Sequence, residues 1–282
     1  MTDHIPNLAF VGGGGGTQTF PFYTYDEDGT NRRENITDWA LEQFRSHYGD
    51  NTISKWDIFY YVYGLLHHPT YRTRFADNLK RELPRIPFAP DFKTQSRLTP
   101  QPPLPNAGEG ETSGLVKSPL LFSERGFRGE AISALGAGSE ANEESGFWTF
   151  AAAGRALAEL HLHYETVTPY KLEYQWAKGK AVDYRVAKMR LNKDKSALVF
   201  NTALTLAGIP ASAYDYKLGN RSALEWVIDQ YQVKTDKRSG ITSDPNRYSE
   251  DEKYIVELVG RVVAVSVETA RIVAEIGACA FS

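Results

Sequence analysis

Apolar residues return at helical spacing in several stretches of the chain, and short alternating runs lie between them. Near the start, "TQTFPFYTY" looks extended and leads into a turn at Asp28-Gly29. Asn35, with Asp38 three residues on, reads as the N-cap of a helix running to about Tyr48. Ser54 and Asp57 have capping-box spacing and open a second helix over "KWDIFYYVYGLLHH". Pro69 suits the first turn of a third helix, "PTYRTRFADNLKREL", which Pro84 closes. The helical pattern returns from Phe147 to Tyr164 in "FWTFAAAGRALAELHLHYE". Strand-like segments follow in "KLEYQWA", "VDYRVAKMRL" and "ALVF", with turns near Lys178-Gly179 and Asn192-Lys193-Asp194. A box formed by Ser222 and Glu225 starts the helix "SALEWVIDQY", packed through Leu224, Val227 and Ile228. The polar loop "KTDKRSGITSDPNR" then leads to a long helical region from about Glu250 to Ile276. The predicted class is α+β: mostly helix with one small antiparallel sheet.

Two stretches break the pattern. Residues 12–16 are five glycines, and a phosphate loop would need a strand before them and a helix directly after. An extended segment follows instead, so they read as a flexible lead-in. Residues 93–146 are rich in Pro, Gly, Ser and Glu and carry scarcely any apolar periodicity. Such a segment cannot bury enough surface to offset its ordering entropy, so it reads as a long disordered insertion. The expected division is 1–92, the insertion 93–146, and 147–282.

Composition changes this picture little. The 282 residues are 41% hydrophobic and 24% charged, an ordinary soluble balance, with a net charge of −3 that excludes a uniformly basic coat. The single cysteine, Cys279, permits neither a disulfide framework nor a zinc site, which makes a cytoplasmic location the expectation. No apolar run approaches the roughly 18 residues of a membrane span. Nine aromatic residues crowd "TQTFPFYTYDEDG" and "KWDIFYYVYGLLHH", where core packing is the first reading and a stacking groove the second.

Catalytic signatures are missing: there is no Walker loop, no H-E-x-x-H, no G-x-S-x-G and no cysteine pair. His161 and His163 are two apart on a helix and face different ways, and His67 and His68 suit a helix end as cations; in both pairs an ordinary structural or surface role is the first reading. A metal-dependent nuclease could be assembled from Asp91, Asp251 and Lys253, on motifs short enough to arise by chance. Local charge says more. Arg72, Arg74, Lys80, Arg81, Arg85, Lys93 and Arg97 form one basic segment; Lys178, Lys180, Arg185, Lys188, Arg190, Lys193 and Lys195 form another. Both suit a phosphate-facing groove, or simply solvated faces. Asn31, Arg32, Arg33, Asn220 and Arg221 lie in turns and are side chains that can pair with base edges or hold loops together.

"FPFYTYDEDGTNRRENITDWAL", "WDIFYYVYGLLHHPTYRTRFADNLKRELPRIPFAPDF", "AGRALAELHLHYE", "YRVAKMRL", "LTLAGIP" and "YKLGNRSALEWVIDQYQVKTDKRSGITSDPN" together resemble one family, as does "VVAVSVETARIV". It is the C-terminal specificity domain of type ISP restriction–modification enzymes, large chains carrying a nuclease, a helicase-like motor, an adenine methyltransferase and a target-recognition domain. The resemblance implies sequence-specific recognition of double-stranded DNA, clamped against a methyltransferase domain or subunit. It also implies no catalytic residues and no metal in this chain. S-adenosylmethionine, ATP and Mg are expected only for domains lying upstream. A chain starting at Met1 without them resembles a detached or truncated specificity segment, or one half of a split gene. The stretch 93–146 and the ending "GACAFS" depart from the family pattern.

From charge and placement, the expected DNA contacts are Asn31, Arg32, Arg33, Arg72, Arg74, Lys80, Arg81, Lys188, Arg190, Lys193, Lys195, Asn220, Arg221, Lys237 and Arg238. A remnant that only binds the methyltransferase through its aromatic surface is the alternative, with the nuclease behind it.

Overall fold

Sequence-local chemistry sets the first elements. A computed structural model of the chain describes residues 19–90 and 146–279. The five glycines and all of the expected insertion except Gly146 lie outside the described residues. Strand β1 (Tyr23–Thr24) pairs antiparallel with β2 (Arg33–Glu34) across the Asp28-Gly29 turn, where Gly29 takes a φ of +79°. Helix α1 (Asp38–Tyr48) is capped by Thr37, whose hydroxyl accepts from Ala40 N at 3.1 Å. Asn35 is not the cap expected. Its backbone N–H and side-chain amide donate to Phe22 O and Pro21 O, closing the hairpin base instead.

Helix α2 (Lys55–Leu65) starts at the predicted Ser54–Asp57 capping box. The single third helix expected from Pro69 breaks in two, α3 (Pro69–Arg74) and α4 (Ala76–Leu79), at Phe75 (φ −107°, ψ 19°). The chain then runs irregular past Pro84, Pro87 and Pro90, each of which disfavours helix in the residue before it. Tyrosine hydroxyls hold this run. Tyr71 donates to Arg85 O (2.7 Å), Tyr48 to Ala89 O (3.0 Å), and Tyr61 to Pro87 O (2.7 Å) while accepting from Ala89 N (2.8 Å). Tyr61→Phe leaves that buried N–H and carbonyl without their partner and is expected to cost about 1–3 kcal/mol. Urea denaturation checks this, and an unchanged midpoint would refute it.

Helix α5 (Gly146–Leu162) packs along α2 through a reciprocal small-residue contact between Gly64 and Gly154. After a 3₁₀ turn at Tyr164–Thr166 come β3 (Glu173–Trp176), β4 (Arg190–Leu191), β5 (Ala197–Val199) and β6 (Leu204–Ala207). They form one antiparallel sheet in the order β3-β6-β5-β4. "LTLA" at β6 is therefore an inner strand that periodicity did not reveal. Most of "VDYRVAKMRL" is irregular, with only its last two residues in β4. Asn246 reaches in from 60 residues away and bonds both Val186 N and Val186 O, giving that backbone partners outside any sheet.

Strands β7 (Lys217–Leu218) and β8 (Arg221–Ser222) make a hairpin that feeds α6 (Ala223–Gln230). The expected polar loop holds a further hairpin, β9 (Lys234–Thr235) with β10 (Thr242–Ser243). Helix α7 (Tyr254–Gly277) closes the described chain. Its first half, from Ile255 to Val263, joins Leu198, Phe200, Leu204, Leu206 and Leu224 in a core under the sheet. Its last turns place Ile272 and Ile276 in a second core with Ile58, Tyr61, Leu65, Phe147, Phe150 and Leu157. One helix thus serves both halves. The architecture is α+β, mostly helical with small antiparallel sheets. No described helix is long and apolar enough to cross a membrane.

Candidate nucleic-acid interface

The stretch "LGNRSALEW" shows how local chemistry builds a displayed loop. Gly219 takes a φ of +70°, which a residue with a side chain would adopt only at a cost, and lets the chain turn between Leu218 and Arg221. Ser222 then accepts from Glu225 N, while the Glu225 carboxylate accepts from Ser222 N at 2.9 Å. Lys195 adds a third tie, its Nζ donating to Glu225 Oε1 at 2.9 Å. That hydrogen bond, followed by those from Ser222, holds the Glu225 carboxyl down at about 2, so it is ionised at any ordinary pH. Trp226 Nε1 donates back to Leu218 O at 2.9 Å, pinning the hairpin on its own helix. Asn220 is left exposed at the tip.

The expected contact residues divide by what already holds them. Asn31 and Arg33 both donate to the Asp26 carboxylate, at 2.7 and 2.5 Å. Arg32 lies over the Tyr23 ring, 4.5 Å from its centre. Arg221 covers the Trp226 ring at 5.2 Å and has Asp229 at 3.6 Å. Lys195 is committed to Glu225, and Lys80 pairs with Asp77 at 3.2 Å. Arg74 sits 5.6 Å from the Phe75 ring centre. Arg72, Arg81, Lys188, Arg190, Lys193, Lys237 and Arg238 are exposed and make no ion pair with another described residue. Lys237 and Arg238 ride on the β9–β10 turn, where the Asp236 carboxylate accepts from Arg238 N and Ser239 N.

These residues occupy five pieces of surface: the β1–β2 hairpin, α3–α4, the sheet end around β4, and each of the two hairpins flanking α6. One link between pieces is plain. Arg72 on α3 acts electrostatically on both Tyr216 and His67, so α3 and the residue leading into β7 lie within reach of one another's charge. Lys217, exposed in β7, joins this neighbourhood and escaped the sequence reading because it is a single lysine between apolar neighbours.

The histidines correct one expectation. His68 is fully buried and caps α3, its Nδ1 accepting from Tyr71 N at 3.3 Å. His67 bonds Tyr63 O through Nδ1 at 2.8 Å. Burial lowers the pKa of both, so they are neutral rather than cations against a helix end. His161 is lowered to about 3, again chiefly by burial. Sequence reading had no signal for its partners, since Tyr63 and Thr269 are 98 and 108 residues away.

Of the nuclease candidates, Asp91 lies outside the described residues. Asp251 Oδ1 accepts from Lys253 N at 2.9 Å, a turn at the start of α7, and Lys253 Nζ lies over the Tyr184 ring. Among the described residues no group of His, Cys, Asp and Glu is arranged to hold a metal ion.

Comparison with known proteins places most of the chain. The family model for the type ISP C-terminal specificity domain matches residues 1–99 and 141–258 and passes over 100–140. No match was found among curated proteins. Among solved structures, the chain is 35% identical to the protein in a DrdV–DNA complex over 93% of its length, with a TM-score of 0.64. It is 31% identical, also over 93%, to a nuclease-deletion mutant of the type ISP restriction–modification enzyme LlaGI in complex with a DNA substrate mimic (TM-score 0.59). The ATP-dependent type ISP enzyme LlaBIII bound to DNA matches at 26% identity over 92%, with a TM-score of 0.62. This chain spans only 22%, 18% and 13% of those three, so it corresponds to one module of much larger proteins. The long collinear match identifies the chain as a member of the type ISP C-terminal specificity domain family.

Proposed function

We propose that this chain recognises double-stranded DNA sequence-specifically, as the specificity module of a type ISP restriction–modification system. In this reading it positions DNA for an adenine methyltransferase and a nuclease carried by other domains, in the cytoplasm. S-adenosylmethionine, ATP and Mg belong to those domains. The observation that carries the proposal is the match over 93% of the chain to type ISP and related proteins solved on DNA. The exposed cations that make no ion pair with another described residue support it, because phosphate contacts supply most non-specific affinity.

In this reading the residues divide the labour. Arg72, Arg81, Lys188, Arg190, Lys193, Lys237 and Arg238 are available to hold phosphates. Asn220 at its hairpin tip is available to meet a base edge. Asn31, Arg33 and Lys195 would have to give up intramolecular partners to do either.

Selection from a random duplex pool at low and moderate salt tests the reading, with enrichment of one asymmetric motif as the expected result. Replacing Arg72, Arg81, Lys188 and Lys193 together by alanine should flatten the log-affinity against log-salt slope by about 3 to 4, at roughly 0.9 per lost phosphate contact. Unchanged affinity and slope would remove these four residues from the interface. Absence of any binding would favour a protein-interaction module, for which Trp39, 72% exposed on α1, is the natural contact.

A further inference from the structure

We propose that His161 and Tyr216 are positioning residues that anchor the Lys217–Ser222 hairpin on the helical half of the molecule. The observation is a partly buried polar ladder joining three helices to the start of that hairpin. Tyr63 on α2 bonds His161 Nδ1 on α5 at 2.7 Å, and His161 Nε2 bonds Thr269 Oγ1 on α7 at 2.9 Å. The Tyr216 ring stacks on the His161 imidazole, with centres 4.9 Å apart and planes within 7°. Tyr216 O then accepts from Ala223 N at 3.2 Å, which closes the hairpin at its base. From there the ladder of Lys217 with Ser222 and Leu218 with Arg221 runs to the Gly219-Asn220 tip.

The chemistry suits a fixed joint. A neutral imidazole carries one donor and one acceptor nitrogen, which matches a tyrosine hydroxyl donating on one side and a threonine hydroxyl accepting on the other. With both nitrogens satisfied, the ring cannot rotate without breaking a partly buried hydrogen bond. Its face is thereby presented to Tyr216 in one orientation. Lys217, Leu218, Gly219, Asn220 and Arg221 are all exposed, and the hairpin's other ties, Trp226 Nε1 to Leu218 O and Arg221 over Trp226, run to its own following helix rather than to the helical half. A two-residue pair of strands is not stable alone, so its direction depends on the base. Tyr216 also packs against the small cluster of Leu160, Val167, Ala264 and Val265, where α5 meets the middle of α7. The joint thus holds the hairpin in one orientation relative to the helical half.

The bearing of this joint on DNA rests on the function proposed above, whereas the anchoring itself does not. The test is therefore made in two arms on the full chain. Amide hydrogen exchange over residues 216–224 reads the anchoring without DNA. Tyr216→Ala and His161→Gln are expected to speed it ten-fold or more while leaving 197–207 unchanged, and Tyr216→Phe should retain wild-type protection because the ring stack remains. Exchange unchanged in both loss variants would overturn the proposal. Should either fail to fold, Thr269→Val and Tyr63→Phe each remove one rung, and unchanged exchange in both would overturn it equally. In the second arm, loosened variants should lose preference for the selected DNA motif over random duplex while keeping the wild-type salt slope. A loosened hairpin with undiminished preference would remove this hairpin from DNA reading and leave the anchoring intact.

Discussion

Gly154→Ala is expected to destabilise the protein by about 3 kcal/mol, with failure to accumulate as folded protein as the extreme result. A Cβ built on Gly154 would stand 1.8 Å from Tyr60 O and 2.7 Å from Gly64 N. The reciprocal position is no better, since a Cβ on Gly64 would meet Phe150 O at 2.3 Å. Each helix contributes a glycine and the carbonyl of the residue four before it, so the backbones of α2 and α5 touch directly. The obstructing atoms are main chain and cannot swing aside. Alanine does favour helix over glycine by up to about 1 kcal/mol, which opposes the clash. The clash wins, because relieving it must separate two helices whose contact carries Phe147, Phe150 and Leu157 against Ile58, Tyr61 and Leu65. A cost of this size is a large share of the roughly 5–15 kcal/mol that stabilises a domain. Chemical denaturation of Gly154→Ala beside wild type decides the matter, and a midpoint equal to or above wild type would show that the helices separate freely.

Acidification is expected to unfold this protein earlier than its carboxylates would require. His67, His68 and His161 have pKa values lowered by burial, His161 to about 3. In the unfolded chain they take up protons near pH 6.5. Above that value both states are neutral at these sites and stability is unaffected. As pH falls below it, the unfolded state binds protons that the folded state refuses, so stability is lost. Each histidine kept neutral adds a slope of about 1.4 kcal/mol per pH unit, and for His161 the loss continues toward its folded value. Glu225, lowered to about 2, joins only once the pH falls below the ordinary glutamate range. Urea midpoints at pH 7.5, 6.0 and 5.0 measure the effect. Equal midpoints at pH 7.5 and 5.0 would mean that these histidines protonate in place. In His161→Gln the slope should be shallower by one histidine's share.

How much of this was legible in advance depends on how far apart the interacting residues lie. Both capping boxes, Ser54 with Asp57 and Ser222 with Glu225, read directly, because the partners are three residues apart and the geometry of one helical turn brings them together. Thr37 displaced Asn35 as a cap because Asn35 is taken by Phe22 and Pro21, on the far side of a hairpin. The inner strand β6 was invisible for a similar reason. "LTLA" has no distinctive period of its own, and only pairing with β3 and β5 makes it a strand. The two-residue strands of the hairpins at 217–222 and 234–243 are shorter than any window in which alternation can register.

The candidate interface was legible as a list of charges and turns, but not as a set of commitments. Sequence showed Asn31, Arg33 and Lys195 as polar side chains in basic or turn-rich stretches. Their carboxylate partners, Asp26 and Glu225, show only in the folded chain. The same holds for Arg221, whose guanidinium lies over the Trp226 ring of the following helix.

By itself, the sequence determined the helical and mixed character, the caps, the turn glycines and the family, since these rest on residue type and short spacing along one chain. Tertiary structure alone decided the sheet order, the α2–α5 glycine contact, the sharing of α7 between two cores, and the neutral histidine ladder. Those depend on contacts between residues tens to more than a hundred positions apart, and packing density and burial at such contacts are properties of the folded chain only.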